Sequence, residues 1–299
     1  MVSMMHTPYP QLTVGSLFSG IGGLDLGLER AGMQIVWQCE IDAYARRVLA
    51  RHWPDVTRFR DVREVGAHHL TPVDLICGGF PCQDISEAGK KAGITGARSS
   101  LWKEFCRIVC ALRPRYVLVE NVAALTRRGL GVVLGDLAAC GYDAEWQCLP
   151  AAAVGAPHER ARLFIVAYTD GDTYIASPQS SFHCTASAQT SPERLHCHVA
   201  DADRLGWKEV HTQPGLLQET QSTWGLQSSD RDRLIFRGPI PRWNLWADES
   251  GICRVADGIP ARVDRLRGLG NAVVPQVAEY IGRCILQHAQ QNMQRGGNL

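Results

Sequence analysis

Between residues 12 and 169 short apolar runs alternate with amphipathic stretches, and that alternation constrains the fold more than any other feature of the chain. The apolar runs Thr13–Phe18, Ile35–Glu40, Val73–Cys77, Tyr116–Glu120, Ala144–Leu149 and Leu163–Ala167 have the length of strands. The stretches Leu24–Ala31, Ala43–His52, Leu101–Leu112 and Val132–Cys140 carry apolar side chains at helical spacing. Each crossover helix must bury its apolar stripe, so strands that alternate with helices pack as a mostly parallel sheet with both faces covered. The predicted architecture is α/β, Rossmann-like and doubly wound. In such sheets ligands bind outside the carboxyl ends of the strands.

The pattern lapses near Thr169. Residues 170–253 are rich in Ser, Thr, Gln, Asp and His, and hold 7 basic against 11 acidic side chains. It tightens again from Arg262, and Pro275 opens a final helix whose apolar face is Val277, Ala278, Ile281, Cys284 and Ile285. A large lobe, residues 1–169 and 254–299, is thus expected to be interrupted by a small lobe, residues 170–253. Net charge is only +1, so any field that attracts a polyanion must be local. The eleven cysteines include no Cys-x-x-Cys pair, and their spacings suggest no disulfide framework. His183-Cys184 and His196-Cys197-His198 lack paired ligand spacing and read as loop residues, so no metal is expected. Met1–Gln11 has no signal-peptide pattern, and no apolar run is long enough to span a bilayer. A reducing cytoplasm is the expected compartment, with no membrane partner.

Chemistry concentrates at the strand ends. Val73–Cys77 runs into Gly78-Gly79-Phe80-Pro81-Cys82-Gln83, where glycines let the backbone turn and a proline fixes it just ahead of a thiol. A cysteine so placed sits like a nucleophile; the simpler reading is a small buried hydrophobe, which suits the other cysteines. The first strand enters Phe18-Ser19-Gly20-Ile21-Gly22-Gly23, a turn that lets a ligand approach the backbone. Asp25 stands where G-x-G-x-x-G, counted from Gly20 and Gly22, needs its last glycine, so that pattern is not met, which favours a nucleoside over a pyrophosphate cofactor. Glu40 ends the second strand, where an acid can bind ribose hydroxyls, and Asp61-Val62 would meet an adenine edge. Glu120-Asn121 ends a further strand and can face the same cleft as Cys82. Arg160 and Arg162 alternate ahead of another strand, and their fork geometry suits a carboxylate, a phosphate or a pyrimidine carbonyl. Each of these charged residues, met singly, would read as a solvated ion pair.

Five motifs occur together and in order: Phe-Ser-Gly-Ile-Gly-Gly, Gly-Gly-Phe-Pro-Cys-Gln, Glu-Asn-Val, the Arg-x-Arg strand and Gly-Asn-Ala-Val. In this the chain resembles the DNA cytosine-5 methyltransferases of bacteria and their phages, over about residues 12–169 and 254–290. The resemblance implies methyl transfer from S-adenosyl-L-methionine to C5 of a flipped cytosine, through a covalent adduct with Cys82. It implies Glu120 at N3 and the exocyclic amine, Arg162 with Arg160 at O2, and Gln83 and Ser86 along the nucleotide. It implies a cofactor site made of Phe18, Ser19, Gly20, Ile21, Gly22, Gly23, Glu40, Ile41, Asp61, Val62, Asn271, Ala272 and Val273. The small lobe would be the target-recognition domain, with Arg231, Arg233, Arg237 and Arg242 toward double-stranded DNA. A monomer is expected. Two departures stand out: His158 occupies a position where the family commonly has Gln, and Ile41 replaces an aromatic that often stacks on adenine. An RNA cytosine-5 methyltransferase of the same fold and a catalytically silent DNA-binding homologue are the rival readings. Whether a restriction endonuclease accompanies the chain is open at this point.

Overall fold

A computed structural model describes residues 11–81, 100–169, 240 and 261–296. The strands are β1 (Thr13–Leu17), β2 (Gln34–Cys39), β3 (Thr57–Phe59), β4 (Leu75–Gly78), β5 (Tyr116–Val122), β6 (Asp143–Leu149) and β7 (Arg162–Tyr168). The helices are α1 (Gly23–Arg30), α2 (Ala43–His52), α3 (Ser100–Leu112), α4 (Leu125–Arg128), α5 (Leu130–Ala139), α6 (Arg262–Asn271) and α7 (Pro275–Gly296). One sheet holds all seven strands in the order β3-β2-β1-β4-β5-β7-β6. The strands β3 to β5 pair in parallel, and β7 runs antiparallel to both β5 and β6. The α/β, doubly wound expectation holds, with one antiparallel strand added near an edge.

Both faces of the sheet are buried, and the strands show it residue by residue. Leu75 and Cys77 pack with Leu24 and Leu28 of α1 and Val277 and Ile281 of α7. Ile76, between them, joins the opposite core with Phe105 and Ile108 of α3 and Val133 and Leu137 of α5. Successive side chains of a strand point to opposite faces, so a continuous apolar run is what a strand covered on both sides requires. The final helix belongs to the first core. Its His288 hydrogen-bonds the Tyr116 hydroxyl of β5, with Nδ1 2.9 Å from the phenolic oxygen. Close contact with α1 depends on Gly27, where a Cβ would overlap Ala278 and the Pro275 carbonyl. The C-terminal helix is thereby packed on the first βα unit.

One expectation needs correction. Cys110 of α3 and Cys140, which caps α5, are joined by a disulfide with Cα atoms 5.8 Å apart. Paired spacing in sequence does not reveal a bridge between two helices 30 residues apart; only their packing does.

Candidate active site

The strand order reverses between β1 and β4, and the crevice opens at their carboxyl ends, as the topology of open α/β sheets dictates. A cleft of about 310 Å³ lies there. Its walls come from the turn after β1 (Phe18 to Ile21, with Gly23), from the end of β2 (Glu40 to Asp42), from the turn after β4 (Gly79 to Pro81), from the end of β5 (Glu120 to Val122), from Arg162, and from α6 and the residues after it, through Val273.

The turn after β1 is held from below. Ser19 N–H donates to the Cys39 carbonyl (3.1 Å), and Gly22 N–H returns to the Ser19 carbonyl (2.9 Å). Phe18 has the positive φ of 53° rarely adopted by a residue with a side chain, which marks a backbone constrained by its neighbours. Under the turn, fully buried Asp25 accepts from the Ser16 hydroxyl (3.0 Å) and the Gln38 amide (2.8 Å). Burial pushes its carboxyl up to about 6 against those hydrogen bonds. Glu40 then clips the turn to β2: its carboxylate accepts from Gly20 N–H and from Asp42 N–H, each at 2.7 Å. The Gly20 donor that a phosphate would seek is therefore already taken by an anion. This agrees with the sequence-level argument against a pyrophosphate ligand.

At the other end stands a carboxyl with an altered proton affinity. The Glu120 side chain is 12% exposed, and its Oε1 lies 3.3 Å from Arg162 Nε. Burial pushes this carboxyl up to about 7, while Arg162 and then Arg160 pull it back. Gly79 makes room for it: a Cβ there would lie 2.5 Å from Glu120 Oε2. Beside it, Asn121 donates through Nδ2 to the Phe80 carbonyl (3.2 Å) and accepts from Val122 N–H (2.9 Å). The end of β5 and the turn before Cys82 are thus one hydrogen-bonded unit. Pro81 lines the cleft, and Cys82 follows it in the chain. Cys82, Gln83, Ser86, Arg231, Arg233, Arg237 and Arg242 lie outside the described residues.

Of the residues proposed from sequence for the cofactor, Phe18, Ser19, Gly20, Ile21, Gly23, Glu40, Ile41, Asn271, Ala272 and Val273 share this one cleft. Four proposed residues stand outside its lining. Gly22 is turned under the loop as the cap of α1. Asp61 is engaged by Arg63, with Nε 2.9 Å from Oδ1, and Val62 is buried. The Arg160 guanidinium donates to the Gly270 carbonyl (2.7 Å) and the Ala272 carbonyl (2.6 Å). Arg160 therefore fastens the C-terminal segment over the cleft, and only Arg162 of the pair reaches Glu120 directly among the contacts of the described residues. Arg162 opens β7 opposite Val122 at the end of β5, whereas Arg160 lies before the strand with a positive φ of 36°, which turns its side chain away toward the C-terminal segment.

Sequence reasoning missed several lining residues: Asp42, Tyr44, Phe80, Asp264 and Arg267. Asp42 had a legible signal, being an acid just before a helical run, and it caps α2 by accepting from Ala45 N–H (2.9 Å). Tyr44, the second residue of α2, gives the wall beside Ile41 an aromatic surface. Arg267 approaches Asp42 at 3.6 Å, which links α6 to that wall, and nothing in the local sequence announces it.

A family model for the C-5 cytosine-specific DNA methylases matches residues 12–224. The type II methyltransferase M2.BsuMI of Bacillus subtilis (strain 168) is 37% identical over 164 residues, which are 52% of this chain and 42% of that protein. M.NgoFVII of Neisseria gonorrhoeae, another type II methyltransferase, is 36% identical over 171 residues, 55% of this chain and 46% of the relative. The chain spans about half the length of the curated relatives it matches. Among solved structures, the S. pombe Dnmt2 methyltransferase aligns with a TM-score of 0.46 at 22% identity, over 54% of this chain and 50% of that one. The family match covers well over half of the sequence and takes in both strand-end turns of the cleft: the chain belongs to the C-5 cytosine-specific DNA methylase family.

Proposed function

We propose that this chain is an S-adenosyl-L-methionine-dependent DNA cytosine-5 methyltransferase that acts on a base flipped from the duplex. The observation that carries the reading is the pairing of a carboxyl pushed up to about 7, Glu120, with the Arg162 guanidinium at 3.3 Å, in a cleft lined by Phe80 and Pro81, the two residues that precede Cys82 in the chain. A carboxyl with that affinity holds a proton near neutral pH and can place it on a ring nitrogen.

The cofactor end of the cleft fits a nucleoside with a cationic centre. Glu40 and Asp42 put carboxylates on its rim, and the Gly20 N–H is occupied. Phe18, Ser19, Gly20, Ile21 and Gly23 would hold the body of S-adenosylmethionine, Glu40 its ribose, and Ile41 with Tyr44 its adenine. Asn271, Ala272 and Val273, tied down by Arg160, would close over it. Assigning Asp61 and Val62 to the adenine edge rests on the resemblance alone. When bound, this cofactor supplies an electrophilic methyl group.

The chain's own residues do the rest. Cytosine C5 is a poor nucleophile. The Cys82 thiolate would form a bond to C6, and the ring electrons would move toward N3 as Glu120 delivers its proton there. The product of that addition is an enamine, nucleophilic at C5. Arg162 would donate to the O2 side and steady the charge that develops. Once C5 carries the methyl group, loss of the C5 proton to a base, departure of the Cys82 thiolate and return of the N3 proton to Glu120 would restore aromaticity. The base cannot be reached inside a duplex, and flipping it out costs roughly a few kcal/mol. Residues 170–253 would read the flanking sequence as a target-recognition lobe on a monomeric enzyme. The relatives' name as type II methyltransferases favours a companion restriction endonuclease in a cytoplasmic setting.

Bisulfite sequencing of DNA from cells that express the chain tests the activity and reveals the site together. Protected cytosines at one sequence context are expected. Complete conversion with the protein present and folded would refute the reading, and methylation of RNA but not DNA in a parallel labelled-methyl assay would replace it with the RNA enzyme.

A further inference from the structure

Three sulfurs meet on the face of the sheet that carries α3 and α5. Cys106 and Cys110 are four residues apart on α3 and therefore project from one side of that helix. Cys140 caps the neighbouring α5. The Cys106 Sγ lies 3.8 Å from that of Cys140 and 4.0 Å from that of Cys110. The side chain one turn earlier on α3 fixes this register: Trp102 donates through Nε1 to Asp136 at 2.7 Å, and Asp136 is one turn before Cys140. The two helices are thus locked side by side, with an indole–carboxylate pair followed by the thiols. Nothing in the cleft uses this cluster, because none of its residues lines the cleft.

We propose that the reduced Cys106, Cys110 and Cys140 form a three-thiolate site for a thiophilic divalent cation of the zinc class. Three observations support it. First, a trigonal set with metal–sulfur bonds of about 2.3 Å separates its sulfurs by about 4 Å, and two of the three separations already stand there. The third pair, Cys110 and Cys140, is joined in the structure, and reduction of that bond frees both sulfurs to complete the triangle. Second, the Cys106 sulfur sits beside the Cys110–Cys140 bond, nearly equidistant from both atoms. Thiol–disulfide exchange needs the attacking sulfur along the axis of the bond; a sulfur beside it caps a triangle. Third, Cys106 and Cys110 are half-buried, so the cluster is reachable from solvent. The Arg113 guanidinium, which donates to the Cys140 carbonyl, stands by to offset the negative charge of the thiolates.

Binding balances as one divalent cation and three thiols giving the metal trithiolate and three protons released to water. The disulfide form lacks two of the ligands. A dithiol reductant supplies the two electrons and two protons that open it and is itself oxidised to a cyclic disulfide.

The test uses the full chain, reduced with a dithiol, desalted without oxygen, and titrated with Cd²⁺ alone and then Zn²⁺ alone. The chain has eleven cysteines, so the comparison with variants decides. One tightly held ion per chain is expected, with sulfur-to-cadmium charge-transfer absorption and a rise in melting temperature of about 3–6 °C at a hundredfold excess over the dissociation constant. Cys106→Ser and Cys106→Ala should lose that ion and the thermal shift while keeping the wild-type circular dichroism spectrum. An oxidised wild-type sample should bind no ion at this affinity and regain it on reduction, which tests the site without any substitution. The proposal is overturned if the reduced wild type holds no tight ion. It is equally overturned if both Cys106 variants, or the oxidised protein, hold it as well as the reduced wild type does.

Discussion

At the level of single residues the account turns on Glu120. Its folded carboxyl, pushed up to about 7, holds a proton that the unfolded chain releases near its ordinary value of 4.5. The folded state therefore binds more protons between these values, and stability falls as pH rises through that window and is level above it. Glu120→Gln removes the ionisation. It should be more stable than wild type at about pH 8, by up to about 3 kcal/mol, and the difference should shrink toward zero near pH 4.5. Urea unfolding at both pH values measures it. The same variant should slow methyl transfer by about 10²-fold or more, as loss of a positioned acid does, with little change in affinity for S-adenosylhomocysteine. Glu40→Ala should do the reverse, weakening the cofactor product in calorimetry while leaving DNA affinity nearly intact. Unchanged affinity in that variant would remove Glu40 from the ribose. These two acids were legible from their places at the ends of apolar runs. The tie of Arg160 to the Gly270 and Ala272 carbonyls was not, because it joins segments 110 residues apart.

Among the elements, the turn after β4 is the one that aligns chemistry with scaffold. Asn121 fastens β5 to the Phe80 carbonyl, and Gly79 leaves the space that Glu120 fills. Gly79→Ala places a Cβ against that carboxylate, so methyl transfer should fall by at least about tenfold for each 1.4 kcal/mol of misplacement in the transition state. Cofactor affinity, set on the other side of β1, should hold. A Gly79→Ala enzyme of wild-type rate would mean that the Glu120 position is not critical. The seam between α1 and α7 makes a second demand. Gly27→Ala overpacks a helix contact and should destabilise by about 1–3 kcal/mol, read as a lower urea midpoint at unchanged slope. The alternation of strand and helix foretold both elements. The strand boundaries agree to within two residues for β1, β2, β4 and β5, because two-sided burial writes continuous apolar runs into the sequence. The antiparallel entry of β7 was not readable, since direction within a sheet leaves no local periodicity.

For the whole molecule, the division of labour follows from where the information lies. The sheet and its C-terminal helix build the cleft, and on this account its lining among the described residues serves the cofactor and the base, not the flanking sequence. Specificity belongs, on this account, to residues 170–253, despite their excess of acids. Alanine in place of Arg231, Arg233, Arg237 or Arg242 should broaden the methylated sites wherever the arginine reads a guanine edge, at ~1–3 kcal/mol of discrimination each. Bisulfite sequencing of a random-site library sorts base readers from phosphate contacts. If all four variants keep the wild-type site and affinity, the reading surface lies elsewhere in those residues. Residues 170–253 carry little periodic core signal, so a reading code is not legible in them. The central claim is the bond between Cys82 and cytosine C6. Its most direct measurement is electrophoresis, under denaturing conditions, of the protein incubated with S-adenosylmethionine and DNA carrying 5-fluorocytosine at the methylated position, where fluorine cannot leave as the proton does. A shifted band in wild type that is absent in folded Cys82→Ser is the predicted result; no shifted band in wild type, or an equal band in the serine variant, would contradict it.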